Sequence, residues 1–219
     1  QKTAYEISLG LVGSEMCIRD STYNDVYRRF VSHPRILEPA QQMLGGSVYV
    51  HQFKLNGKAA FDGEVWQWHQ DYGVWHRDDD MPEPRAMNIA LFLDEVTEFN
   101  GPLYMIPRSH KQGVIEAGHD TLTTSYPLWT LDKETVSRLA DEGGIIAPKG
   151  KPGTVILFHS NIVHASAPNI SPWDRVIVYL SLCQVDNHIR QFIRPEWIAH
   201  RDFSPIEPLN DDCLLQLAR

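Results

Sequence analysis

Three residues whose chemistry suits a shared metal ion stand where strands could bring them together. His69-Gln70-Asp71 places an imidazole and a carboxylate at i and i+2, positions that share a face if the segment is a strand. His164 ends a strand-like run that begins at Val155, and Arg175 opens another strand eleven residues later. Two histidines and one carboxylate fill three positions of an octahedral metal and leave three open, the arrangement of non-haem Fe(II) oxygenases. A chelator such as 2-oxoglutarate would take two of these, and its far carboxylate would need a planar two-pronged donor, for which Arg175 is suited. The His-x-Asp spacing alone says little, because it recurs at His76-Arg77-Asp78 and His200-Arg201-Asp202. Those two copies lie outside any alternating segment and read as solvated surface polar residues. His69 instead sits among Trp66, Trp68, Tyr72 and Trp75, the dry surround that a metal-ligand pair requires.

The elements that must position these groups are mostly short strands. Helical spacing is expected over Tyr23 to Val31 and over Ile36 to Leu44, the second following Pro34 and closed by Gly45-Gly46. Strands are expected at Ser47 to Leu55, Val65 to Tyr72, Met87 to Leu93, Leu103 to Ile106, Thr154 to Phe158, Ile162 to Ser166 and Arg175 to Cys183. Arg77 to Pro84 reads as an acidic loop, and Asp132 as the N-cap of a helix stopped by Gly143-Gly144. Along the last strand, Arg175, Ile177, Tyr179 and Ser181 share a face that looks like a pocket wall. Val176, Val178, Leu180 and Leu182 share the other, which is pure core. Many short strands with Gly/Pro/Asn turns and a few flanking helices indicate a mainly β jelly roll.

Composition narrows the partners. The chain has 219 residues, 42% hydrophobic and 22% charged, with a net charge of -8. No apolar run approaches the ~18 residues that cross a bilayer, and no Lys/Arg cluster suits nucleic acid. Three cysteines do not make a disulfide framework, so a reducing, cytoplasmic setting is expected. Residues 1–21 have no clear period and resemble a translated sequencing adaptor. The expectation is a non-native leader, then one domain over 22–219 that lacks its own N-terminus.

His69-Gln70-Asp71, Asn100-Gly101-Pro102-Leu103, Ile106-Pro107-Arg108-Ser109-His110 and the stretch from Gly153 to Arg175 together resemble the phytanoyl-CoA dioxygenase family of Fe(II)/2-oxoglutarate oxygenases, nearest its ectoine hydroxylase branch. The likeness covers nearly all of Tyr23 to Pro195. It implies a double-stranded β-helix of cupin-like shape, iron held by His69, Asp71 and His164, and O2 as a further cosubstrate, with release of succinate and CO2. It also implies Arg175 and Ser166 for the far carboxylate of 2-oxoglutarate, with Asn56 on the cosubstrate side. Gln52, Trp75 and Phe158 match positions that line the substrate pocket. The intact Asp71 argues for hydroxylation over halogenation. Three departures bear on the substrate: Lys54 stands where the branch has arginine, Ile177 where it has a substrate-binding asparagine, and Tyr179 where it has phenylalanine. Lysine is a point charge and isoleucine cannot hydrogen-bond, so a small zwitterionic or amino-acid-like substrate other than ectoine is expected. Two rivals share the residues: a zinc hydrolase of cupin-like shape, which gives Arg175 no role, and a non-catalytic binding module of the same fold.

Overall fold

The computed structural model describes residues 15–17, 24–123 and 127–218. Most of the expected leader lies outside the described residues; Glu15–Cys17 (β1) pairs antiparallel with β2 (Val48–Lys58). Two helices precede β2. Asn24 caps α1 (Asp25–Val31) by accepting from the Val26 N–H, and α2 (Pro34–Leu44) begins on a proline and ends at Gly45, whose φ of 80° suits the residue without a Cβ.

The remaining elements are β3 (Trp66–His69), α3 (Asp71–Asp79), β4 (Ala86–Phe92), β5 (Leu103–Met105), β6 (Gly118–Asp120), β7 (Leu128–Thr130), α4 (Lys133–Gly143), β8 (Val155–His159), β9 (His164–Ser166) and β10 (Arg175–Gln184). They form an antiparallel five-stranded sheet in the order β1-β2-β10-β4-β8, a three-stranded sheet β3-β9-β5 and the hairpin β6-β7. The two larger sheets face each other. Ala90, Phe92 and Ile177 of the first pack on Leu103 and Met105 of the second. On its outer face the first sheet presents Val178, Leu180 and Leu182 to Ile36, Leu37 and Ala40 of α2. The expected two faces of β10 therefore hold, although of the face expected to wall a pocket only Tyr179 and Ser181 line the cavity, and the mainly β jelly roll with helical support holds as well.

Three local expectations fail for identifiable reasons. The strand expected to run to Tyr72 stops at His69, and Asp71 is the first residue of α3. Tyr72, Trp75 and Asp79 are buried at helical spacing, so this segment hides its side chains better as a helix, and a carboxylate is favoured at a helix N-terminus. The acidic loop expected from Arg77 starts three residues later, after α3 has ended at Asp80 with a φ of 53°. His200, expected at the surface, is buried. The chain beyond β10 runs back over β2, with the His200 N–H donating to the His51 carbonyl and the Ile206 N–H to the Val48 carbonyl.

A bulge in β2 orients the cavity wall. Ser181 of β10 pairs with Gln52 and Leu182 pairs with Val50, so His51 is an extra residue. Such a bulge resets alternation along the strand. Gln52 and Lys54 then line the cavity, while Tyr49 packs in the apolar cluster that also holds Trp66 and Trp75.

Candidate active site

His69 at the end of β3 and His164 at the start of β9 are directly paired across the small sheet, their rings 4.2 Å apart. Each ring is fixed from behind by a backbone carbonyl, Gln67 O at 2.6 Å from His69 Nδ1 and Ile162 O at 3.0 Å from His164 Nδ1. A carbonyl only accepts, so Nδ1 carries the proton in each ring and the Nε2 lone pair points forward. Asp71 meets both lone pairs, its Oδ1 3.7 Å from His69 Nε2 and its Oδ2 3.5 Å from His164 Nε2. The three ligand atoms lie within 4.8 Å of one another, the sole metal-ligating group of this kind among the described residues.

The electrostatics suit a cation. Burial, with His164 acting in the same direction, pushes the His69 pKa down to about 3, so its imidazole is neutral at ordinary pH. Burial works against the charge of Asp71, but His164, His69, Lys54 and a hydrogen bond from Asn88 together outweigh it and hold its pKa below the ordinary carboxylate value. A buried carboxylate beside forward-facing imidazole nitrogens is a donor set for a divalent metal, and two histidines with one carboxylate suit iron and leave positions open for exchangeable ligands.

One cavity joins this triad to most of the side chains expected around it. Gln52, Lys54 and Asn56 reach it from β2, Trp75 from α3, Phe158 from β8, and Ser166 and Tyr179 from β9 and β10. Trp66 also lines it, whereas Trp68 packs elsewhere, against Ile106 and Leu139. Ile177 is sealed in the apolar cluster between the sheets and does not line the cavity. Arg175 is fully buried and stands behind the cavity wall. Its Nη1 donates to Asn56 Oδ1 at 2.7 Å and its Nη2 to the Gly101 carbonyl at 2.8 Å.

Four residues at this site had no place in the sequence reading. Lys58, buried at the end of β2, donates to Ser166 Oγ at 2.8 Å and to the Ala167 carbonyl. Asn88 bonds Asp71. Arg194 lines the cavity from the irregular segment after β10 and is gripped by the fully buried Asp79, with Nε donating to Oδ1 at 2.8 Å and Nη2 to Oδ2. A lone amide inside the apolar run Ala86 to Phe92 was a usable signal for Asn88. Lys58, Asp79 and Arg194 carried none, because their place depends on contacts far apart in sequence.

Two facing antiparallel sheets with a two-histidine, one-carboxylate set between them define the non-haem Fe(II)/2-oxoglutarate oxygenase class of jelly roll. Residues 16–177 match the phytanoyl-CoA dioxygenase (PhyH) family, and the chain belongs to it. It is 37% identical over 202 residues to the L-proline trans-4-hydroxylase of Streptomyces griseoviridis, covering 88% of this chain and 75% of that one. It is 37% identical over 187 residues to an ectoine dioxygenase of Sphingopyxis alaskensis, covering 80% of this chain and 61% of the relative. The crystal structure of EctD from S. alaskensis with 2-oxoglutarate and 5-hydroxyectoine superposes with a TM-score of 0.72 at 35% identity, over 87% of this chain and 64% of that one. The same enzyme with bound Fe gives 0.75 at 34% identity, over 87% of this chain and 66% of that one. Among the described residues, no helix is long and apolar enough to cross a membrane.

Proposed function

We propose that this chain hydroxylates a free, small, cyclic amino acid such as L-proline, with Fe(II) held by His69, Asp71 and His164. The observation that carries this reading is that Lys54 and Arg194 line one cavity together with the triad and with Trp75 and Phe158. A carboxylate facing two cations and an apolar ring against two aromatic faces describe such a substrate. Ile177, enclosed among apolar side chains, offers ectoine no hydrogen bond. The similarity to a proline hydroxylase supports the same choice.

The iron with its cosubstrate supplies the oxidising chemistry, which splits O2 between succinate and the hydroxylated product with loss of CO2. The protein supplies position and dryness. Ser166 and Asn56 present the far carboxylate of 2-oxoglutarate with Arg175 and Lys58 behind them, so two buried cations balance that end. Gln52, tied to the Ile198 carbonyl at 2.7 Å, fixes the segment that closes the substrate end, and Tyr179 adds a polar contact there. Trp75 is itself braced edge-on by the His51 ring, 4.5 Å away. A zinc hydrolase would have no use for the buried Arg175. The acidic chain and the small cavity suit a small-molecule substrate rather than nucleic acid.

Mass spectrometry of oxygen addition dependent on Fe(II) and 2-oxoglutarate, across L-proline, other cyclic amino acids and ectoine, tests the substrate. Hydroxylation of a free amino acid with ectoine turned over at least ~10-fold less efficiently is the expected result. Ectoine turnover equal to that of every amino acid tested overturns it.

A further inference from the structure

The carboxylate of Asp71 has no intrinsic preference between its two oxygens. Each faces one imidazole at nearly the same distance, 3.7 Å for Oδ1 and 3.5 Å for Oδ2. What breaks this symmetry is Asn88, whose Nδ2 donates to Asp71 Oδ2 at 2.6 Å. Asn88 is in turn fixed by Ser181, whose Oγ donates to Asn88 Oδ1 at 2.6 Å. The sense of the chain follows from donor and acceptor capacity. An ionised carboxylate only accepts, so the amide must turn its NH2 toward Asp71, and its oxygen must then face a donor, which the Ser181 hydroxyl can be. The two residues are cross-strand partners on β4 and β10, both buried and both facing the cavity. Among the described residues neither side chain has another hydrogen bond that would explain a buried amide and hydroxyl there, and an unpartnered polar group at such a place is costly.

We propose that Asn88, oriented by Ser181, is a positioning residue that occupies Asp71 Oδ2 and restricts the carboxylate to one-oxygen ligation through Oδ1. The inference rests on the metal-site reading given above. Its consequence is a matter of counting: a carboxylate binding through both oxygens with two histidines would leave two positions on a six-coordinate ion, both needed by a chelating cosubstrate. Restriction to one oxygen keeps a third position available. Asn88 thereby controls whether the site has room for all of its ligands, without touching the metal itself.

The test uses Co(II) as a spectroscopic stand-in, titrated anaerobically into the full chain, with and without 2-oxoglutarate, and read by visible absorption. Asn88→Leu, close in shape and unable to donate, frees Asp71 Oδ2 for the metal; it is expected to change the Co(II) ligand-field spectrum and to weaken 2-oxoglutarate binding to the Co(II)-loaded chain ~10- to 100-fold. Asn88→Asp, which turns an acceptor toward Oδ2, should do at least as much. Ser181→Ala should act in the same direction but less, and its effect should vanish in the Asn88→Leu background, because Ser181 acts only through the amide. A purely structural role would lower the melting temperature and leave the spectrum of the bound fraction unchanged. Wild-type spectra and affinities in both Asn88→Leu and Ser181→Ala overturn the proposal. If the wild-type chain itself binds Co(II) no better than Asp71→Ala, the metal-site reading fails instead, and the proposal with it.

Discussion

The two ends of the cavity are built on different principles. The end assigned to the cosubstrate lies between the start of β10 and the end of β2, where Arg175 and Lys58 are register partners. Every charged or polar group there is held by another: Arg175 by Asn56 and Gly101, Lys58 by Ser166 and Ala167. The end assigned to the substrate is closed by α3 and the irregular segment after β10, joined through the Asp79–Arg194 pair and the Gln52–Ile198 bond. The first end takes its geometry from sheet hydrogen bonding. The second takes it from the Asp79–Arg194 ion pair and a few hydrogen bonds that tie a segment without regular structure to α3 and β2. A site that must bind one ligand always and another by choice can freeze the former and leave the latter open to change.

Substitutions can break or sharpen this contrast. The largest effect is expected at the junction of the two ends: Asp71→Ala removes the carboxylate that both histidines face, and should abolish succinate formation and metal binding together, read by succinate release and Co(II) titration. At the substrate end, Asp79→Ala leaves a largely buried Arg194 without its counter-ion, and should cost about 3–5 kcal/mol in urea unfolding. In the folded fraction it should raise KM for the substrate while leaving KM for 2-oxoglutarate near wild type. At the cosubstrate end, Arg175→Ala should do the reverse, raising KM for 2-oxoglutarate about 10- to 100-fold (~1.4–2.8 kcal/mol) with little change for the substrate. Equal shifts of both constants in either variant would erase the distinction between the ends.

A last effect concerns pH. Burial lowers the pKa of His51, His69 and His200 below that of a free imidazole. Such a group is neutral in the folded chain and takes a proton in the unfolded chain once pH drops below about 6.5, so its contribution to stability is complete above that pH and is lost as pH falls. For His69 the loss continues to about pH 3. Metal-free protein should therefore lose unfolding free energy in urea from pH 7 to 5, with His69 alone contributing about 1.4 kcal/mol per pH unit below pH 6.5. A free energy that stays flat over this range would contradict burial of the three rings.

The sheet was legible in the sequence, and for a simple reason. Along β10 the alternation of Arg175, Ile177, Tyr179 and Ser181 with four aliphatic residues assigns faces without any knowledge of partners, and the structure keeps that assignment. The helix at Asp71 was not legible, because Trp66 to Trp75 carries aromatics at spacings that satisfy both a strand and a helix. Packing of Tyr72 and Trp75 into a common core decides between them. His200 misled for a related reason: Arg201 and Asp202 follow it directly, and only the return of the chain across β2 buries it. Arg194 is the clearest case, a single basic residue whose meaning lies wholly in an aspartate 115 positions away.

Gly101 draws a boundary for protein engineering. Its φ is 74°, and a Cβ placed there would stand 2.8 Å from the Ala167 carbonyl and 2.9 Å from Lys58 Cδ, while its own carbonyl is the one that Arg175 holds. One backbone position thus borders two buried cations at once, and a side chain there would collide with Lys58 and with the Ala167 carbonyl that Lys58 holds. A library that randomises Lys54 and Tyr179 explores new substrates on an intact engine, whereas one that reaches Gly101 disturbs the end assigned to the cosubstrate.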